Sequence, residues 1–242
     1  MKKYELLKED TRIIEGKTLY RIKALKDFRG VSKGDLGGYI EKEENLSQND
    51  NCWIYDESCV YDNAMISGNG KVFGYANIYD NAIICGNALV YGNAIISGNV
   101  IIYGHAKVSG NAEVYGHAEV SGNVEVYGHA IIYGYAKVYG YTEVYNYAKV
   151  YGYTEIDGNI VLRNNDIIDN KNNILSISNI GSRNATTTFI KYPDKSIHVN
   201  CGCFSGTIDE FKQKVLKTHK NNEKYKKEYL YAIEFVLHKF EL

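Results

Sequence analysis

The chain has 242 residues, and no stretch approaches the ~18 uninterrupted apolar residues of a membrane-spanning helix, so no membrane partner is expected. A cysteine framework is missing too. Five Cys, odd in number and irregular in spacing, fit a reducing cytoplasm rather than a disulfide scaffold. The run Met1-Lys2-Lys3-Tyr4-Glu5 opens no apolar segment, so no secretory leader is read there. No phosphate loop, nucleophile elbow or carboxylate pair stands out. Proline occurs once. Arginine is absent from residues 54–161, where four Lys face ten Asp/Glu, a local charge of −6 in a chain of net charge −1. A surface that tracks a phosphate backbone needs the opposite sign, so no nucleic-acid partner is expected for this region. Residues 205–242, with eight Lys and six acids, read as a solvated helical face.

What the chain does have is 45% hydrophobic residues, 23 Gly and 23 Tyr. That is enough apolar material for a core, and the Tyr count points to a repeat. From Ile54 the sequence reads in sixes: IYDESC, VYDNAM, ISGNGK, VFGYAN and so on to IDGNIV, 18 hexapeptides over 108 residues without an insertion. Their first position is always Val or Ile, their third always Gly, Asp or Asn, and their fifth is Ala in eleven. Along Ala88-Leu89-Val90-Tyr91 small, variable, branched and aromatic residues alternate, the period of a strand with one buried face. Gly92-Asn93 then turns a corner, because Gly, Asn and Asp tolerate positive φ. So short a strand buries its face only by stacking on copies of itself. Three six-residue sides make a triangular coil, and 18 hexapeptides make six coils, a prism roughly 29 Å long at ~4.8 Å per coil. The fold class expected is mainly β, a parallel β-helix with a small C-terminal α+β appendage.

Residues 18 apart then stack, and the outward columns can be written down. The first side carries Tyr55, Phe73, Tyr91, Ser109, Tyr127 and Tyr145; the second Tyr61, Tyr79, Ser97, Tyr115, Tyr133 and Tyr151; the third Ser67, Cys85, Tyr103, Ser121, Tyr139 and Asp157. Met65, Ile83 and Ile101 add apolar surface on the third side, and Ile95 and Ile131 on the second. With Tyr103 these form the expected oligomer interface, because so large an outward apolar strip marks a contact surface. Corner columns are Asn-rich early and Tyr/His-rich late.

Residues 1–53 lack the repeat and are expected to cap the solenoid, with a hairpin around Glu15-Gly16-Lys17. Residues 162–184 read as decaying repeat or linker. Residues 185–242 read as a hairpin across Tyr192-Pro193-Asp194-Lys195 followed by two helices. Thr207-Ile208-Asp209-Glu210 is the capping box of the first helix, and the second runs about Glu223–Phe240.

Ile22 to Phe28, Val31 to Tyr39, Asn45 to Gln48 and Asn51 to Asp56 together resemble the N-terminal block of YdcK-like hexapeptide-repeat proteins. The resemblance implies a left-handed β-helix, prisms associated side by side with a trimer favoured, and acyl transfer from acyl-CoA. Val199 to Thr207, with the helices that follow, looks like a C-terminal module on uncharacterised repeat proteins of bacteriophages and prophages.

An acyltransferase of this fold uses a His as general base, so His117, His129 and His105 are the catalytic candidates if the chain is an enzyme. They replace Asn or Tyr at corners in near-identical contexts, no loop interrupts the repeat, and cations for CoA phosphates are scarce. The preferred reading is therefore a non-enzymatic oligomeric binding or scaffold protein of phage or prophage origin, acting in the cytoplasm without a cofactor. Its ligand is a small molecule or a host protein. Tyr side chains stack and hydrogen-bond, so grooves around Tyr133, Tyr135, Tyr151 and Tyr153, with Tyr115, His117, Tyr139 and Tyr141 beside them, would sequester a nucleotide-derived signal. A structural virion component is the third reading. No metal site is expected: His198, Cys201 and Cys203 lack a paired CxxC and read as a hairpin end with small buried thiols.

Overall fold

In the computed structural model, which describes residues 2–241, the hexapeptides form a parallel β-solenoid. Each side holds a two-residue strand, such as Leu89–Val90, Ile95–Ile96 and Ile101–Ile102. The register between coils is 18 residues: Leu89 lies beside Lys107 and Val90 beside Val108. Leu89 N–H donates to the Ala106 carbonyl (2.9 Å), Tyr91 N–H to Val108 (2.9 Å) and Asn93 N–H to Gly110 (2.7 Å). Ala88 and Val90 are fully buried, and Leu89 and Tyr91 face out, as the alternation requires. Burying each Val or Ile contributes about 1.5–3 kcal/mol, and the ladder runs down the middle of the prism.

The structure has seven turns rather than six. The first side carries seven strands, from Trp53–Ile54 to Val161–Leu162, and the third carries six. Two of its sides come from sequence with no hexapeptide signature, where Tyr39 pairs with Cys59 and Leu46 with Ile66, and the third is Val161–Leu162 at the end of the repeat. Ile40, Leu46 and Leu162 supply its inward side chains, all fully buried. Inward apolar residues suffice to hold a rung, whatever the corners are spelled with, so the solenoid begins inside the segment expected only to cap it. At the other end Ile167–Ile168 adds a rung on the second side.

Both open ends are closed. An antiparallel hairpin, Tyr4–Ile14 with Lys17–Ala24, pairs onto Leu36–Ile40 and extends the second side to ten strands. Tyr4 and Phe28 pack edge-on against Trp53. The same hairpin covers Tyr61, which is only 3% exposed instead of facing solvent as its column position predicts. Lys17 pairs with Asp62 at 2.6 Å beside that ring, and Arg12 and Arg21 both reach Glu57.

The C-terminal part is larger than a hairpin with helices. Ile174–Ile180, Ala185–Lys191, Ile197–Cys201 and Phe204–Thr207 form a four-stranded antiparallel sheet, so its first strand lies in the stretch read as linker. Helices α1 (Ile208–Thr218) and α2 (Glu223–Lys239) cover it, around Phe189, Val199, Phe211, Val215, Ile233 and Val236. The Thr207–Glu210 capping box is present. Ile190 turns the other way and joins the solenoid core, sealing its last coil. Among the described residues no helix is long and apolar enough to cross a membrane.

Candidate functional site

The 18-residue register brings the outward aromatic residues into face-to-face stacks. Tyr115, Tyr133 and Tyr151 form one ladder on the second side, with centroid steps of 5.1 and 4.8 Å. Along the adjoining corner His117, Tyr135 and Tyr153 form another, with steps of 4.6 and 4.9 Å. The corner rings stand clear of the prism: Tyr135 is 48% and Tyr153 82% exposed. Tyr139 and Tyr141 belong to the third side and its far corner, so within one protomer they do not join these ladders. Tyr127 stacks on Tyr145 at 4.8 Å on the first side. Burial first, and then the Glu143 carboxylate, pushes the Tyr127 phenol up to about 12.

Each ring is held by the coil beneath it rather than by a loop. Earlier in the prism the same corners carry Asn ladders: Asn63 Nδ2 donates to Asn81 Oδ1 at 3.1 Å, and Asn81 to Asn99 at 3.0 Å. A side-chain column is thus continuous from amide to aromatic along one edge.

The three repeat histidines are exposed corner residues. His117 stacks on Tyr135 and His129 on Tyr147, while His105 falls in a column between Asn87 and Asn123. Among the described residues none of the three has a carboxylate partner in an ion pair or side-chain hydrogen bond, so none is oriented as a general base would be. The imidazole that has such a partner is His198. Its Nδ1 lies 2.9 Å from Oδ1 of Asp166, a fully buried carboxylate that also accepts from Tyr192 Oη (2.9 Å), Asn200 Nδ2 (2.6 Å) and the Arg163 N–H (2.9 Å). Arg163, Asp166 and Val161 belong to the last coil, and Tyr192, His198 and Asn200 to the C-terminal sheet. The cluster is a latch between the two parts, and its four donors saturate the carboxylate. Sequence reading missed it because Asp166 sits in a stretch of decayed repeat and its partners lie 26 to 34 residues onward.

The apolar residues expected at an interface are divided by register. Met65, Ile83 and Ile101 stack in one column of the third side, with Met65 39% and Ile101 40% exposed and Tyr103 adjacent. Ile95 and Ile131 are separated by Glu113 on the second side. Beyond Ile101 the third side becomes charged, with Glu119, Lys137 and Glu155 in sequence.

The thiols at the hairpin end are not small buried groups: Cys201 is half-buried, accepting from Thr187 Oγ1 at 3.2 Å, and Cys203 is exposed. With the turn at Gly202 between them, both line a cavity of about 210 Å³, whose other walls include Phe204, Phe211, Tyr229 and the cationic Arg183 and Lys214. Burial pushes the Cys85 thiol up, so that outward cysteine is not activated.

The YdcK Beta solenoid repeat family matches residues 84–98 and 88–104. The protein named Uncharacterized acetyltransferase YdcK, from Escherichia coli (strain K12), is 46% identical over 52 residues, 21% of this chain. The matched stretch spans 16% of that protein's own length. The chain is therefore similar to YdcK-type β-solenoid proteins, the family its residues resemble.

Proposed function

We propose that the chain is a non-enzymatic, oligomeric binding protein that uses its stacked aromatic columns as the contact surface for a small molecule or another protein. The observation that carries this reading is the pair of adjacent ladders at the C-terminal half of the solenoid. There flat rings, held in register by the backbone, project a hydroxyl edge into solvent. Tyr combines apolar area with a polar tip at low entropic cost, the usual chemistry of a recognition surface. Copies associate through the column Met65, Ile83, Ile101 on the third side.

The test has two arms. Tyr135→Ala with Tyr153→Ala is expected to abolish retention of the co-purifying ligand or partner in native mass spectrometry, with folding unchanged by circular dichroism. Met65→Glu with Ile101→Glu is expected to reduce the subunit number by light scattering. Unchanged retention in the first arm counts against the surface; unchanged mass in the second counts against the interface.

A second reading is acyl transfer from acyl-CoA, favoured by the relative's name as an uncharacterised acetyltransferase. It assigns the base to His117, His129 or His105. Acetyl-CoA turnover that survives alanine at all three positions removes these bases, and His198→Ala then tests the one imidazole with a carboxylate beside it.

A further inference from the structure

Ser109 interrupts an otherwise aromatic column, and the space it leaves has the dimensions of one ring. In the first-side column Tyr55 stacks on Phe73 and Tyr127 on Tyr145, with centroid steps of 4.4 and 4.8 Å and planes within 8° and 2° of parallel. Tyr91 and Tyr127 flank Ser109, one coil below and one above, so their attachment points are two coil steps, roughly 9.6 Å, apart. The backbone spacing leaves room for a ring midway, at the step that the Tyr55–Phe73 and Tyr127–Tyr145 pairs use. The gap is a cleft of about 220 Å³ walled by Tyr91 and Tyr127, with Lys107 and Glu125 along one rim. An apolar cavity of about 150 Å³ accepts benzene, so the volume suffices for a substituted six-membered ring.

The floor and rim are polar. Ser109 is 8% exposed, and among the described residues its hydroxyl has no hydrogen-bond partner. Lys107 Nζ and Glu125 Oε1 pair at 2.7 Å beside the opening and offer a donor and an acceptor to a ring substituent. We propose that this cleft binds a small planar aromatic molecule carrying one hydroxyl or similar polar group, sandwiched between Tyr91 and Tyr127. The proposal deepens the reading of the aromatic columns as binding surfaces, but it uses a different side of the prism from Tyr135 and Tyr153.

The full chain is titrated with p-cresol, the side-chain analogue of the missing residue, and with cyclohexanol as a non-planar control. Binding is followed by calorimetry and ligand-observed nuclear magnetic resonance. Ser97 and Ser121 also interrupt Tyr columns, so the readout is the tightest binding equivalent. The expected results are saturable p-cresol binding at least 10-fold tighter than cyclohexanol, loss of that equivalent in Ser109→Tyr, and its retention in Ser97→Tyr/Ser121→Tyr. Ser109→Tyr completes the ladder, so its melting temperature should equal or exceed that of the parent, which separates a filled site from a misfolded one. The proposal is overturned if p-cresol binds no better than cyclohexanol, if the tight equivalent persists in Ser109→Tyr, or if the Ser97/Ser121 variant loses it. Because Tyr135 and Tyr153 are untouched throughout, failure here leaves the retention test of the corner ladder standing.

Discussion

At position 98 the backbone has φ 81°, and a Cβ added there would lie 2.5 Å from the carbonyl oxygen of Gly116 on the next coil. Gly98→Ala is therefore expected to cost at least about 1–2 kcal/mol from the left-handed backbone alone, read as a lower urea midpoint. One coil earlier the equivalent corner tolerates Asp80 at φ 58°, because its carboxylate accepts from the Gly98 N–H at 2.9 Å. Asp80→Ala keeps the strained backbone and loses that bond, at about 1 kcal/mol, whereas Asp80→Asn should be milder. Glu57 gives a pH dependence. The hydrogen bond and charge of Arg21 foremost, and then the Arg12 charge, hold its carboxyl below the ordinary range. The stability it supplies is fully present above the usual carboxylate value of ~4.3 and is lost as pH falls through the lower folded value. The unfolding midpoints of the parent and Glu57→Gln should accordingly converge as the pH is taken from 7 towards 3. A constant difference across that range would contradict the assignment.

Among the elements, the aromatic ladders test whether outward rings stabilise the solenoid as well as decorate it. Tyr133 lies between Tyr115 and Tyr151, so Tyr133→Ala removes two stacked contacts worth about 0.5–1.5 kcal/mol each. Tyr115 has Ser97 on its other side and loses one, so Tyr115→Ala should cost about half as much. A double-mutant cycle between the two isolates the stacking energy, and additivity would show that the rings act independently. Tyr127 adds an alkaline limit. Its raised value of about 12 means that its contribution is present below the ordinary Tyr value of ~10 and is lost as pH rises towards 12. Tyr127→Phe should flatten that loss in denaturation curves taken between pH 9 and 12.

For the whole molecule, stability depends on closing the two ends of a stack that would otherwise present unpaired strand edges. Asp166 is the point where the C-terminal sheet is tied to the last coil. Asp166→Ala strands the buried Asn200 amide donor, at about 1–3 kcal/mol if left unsatisfied, and three part-buried donors that water can reach at lower cost. Hydrogen exchange should quicken in the strands between residues 174 and 207 while the rungs between 89 and 150 keep their protection. Uniform loss across both would mean that the appendage and solenoid unfold as one unit.

The coil circumference, the inward Val/Ile/Ala ladder and the aromatic columns were determined by the sequence alone. Each follows from a local period: two residues for burial, six for a side, eighteen for a turn. The hairpin around Glu15-Gly16 and the α1 capping box were legible for the same reason, being local. Only tertiary structure decided the rest. The seventh turn is held by Ile40, Leu46 and Leu162, which lie outside the 18 hexapeptides. Tyr61 is buried because a distant hairpin folds over it. Asp166 gathers partners from a different sheet, and the 210 Å³ cavity joins residues from Arg183 to Tyr229. In each case the deciding contact is non-local, and no short period in the chain encodes which residues meet across it.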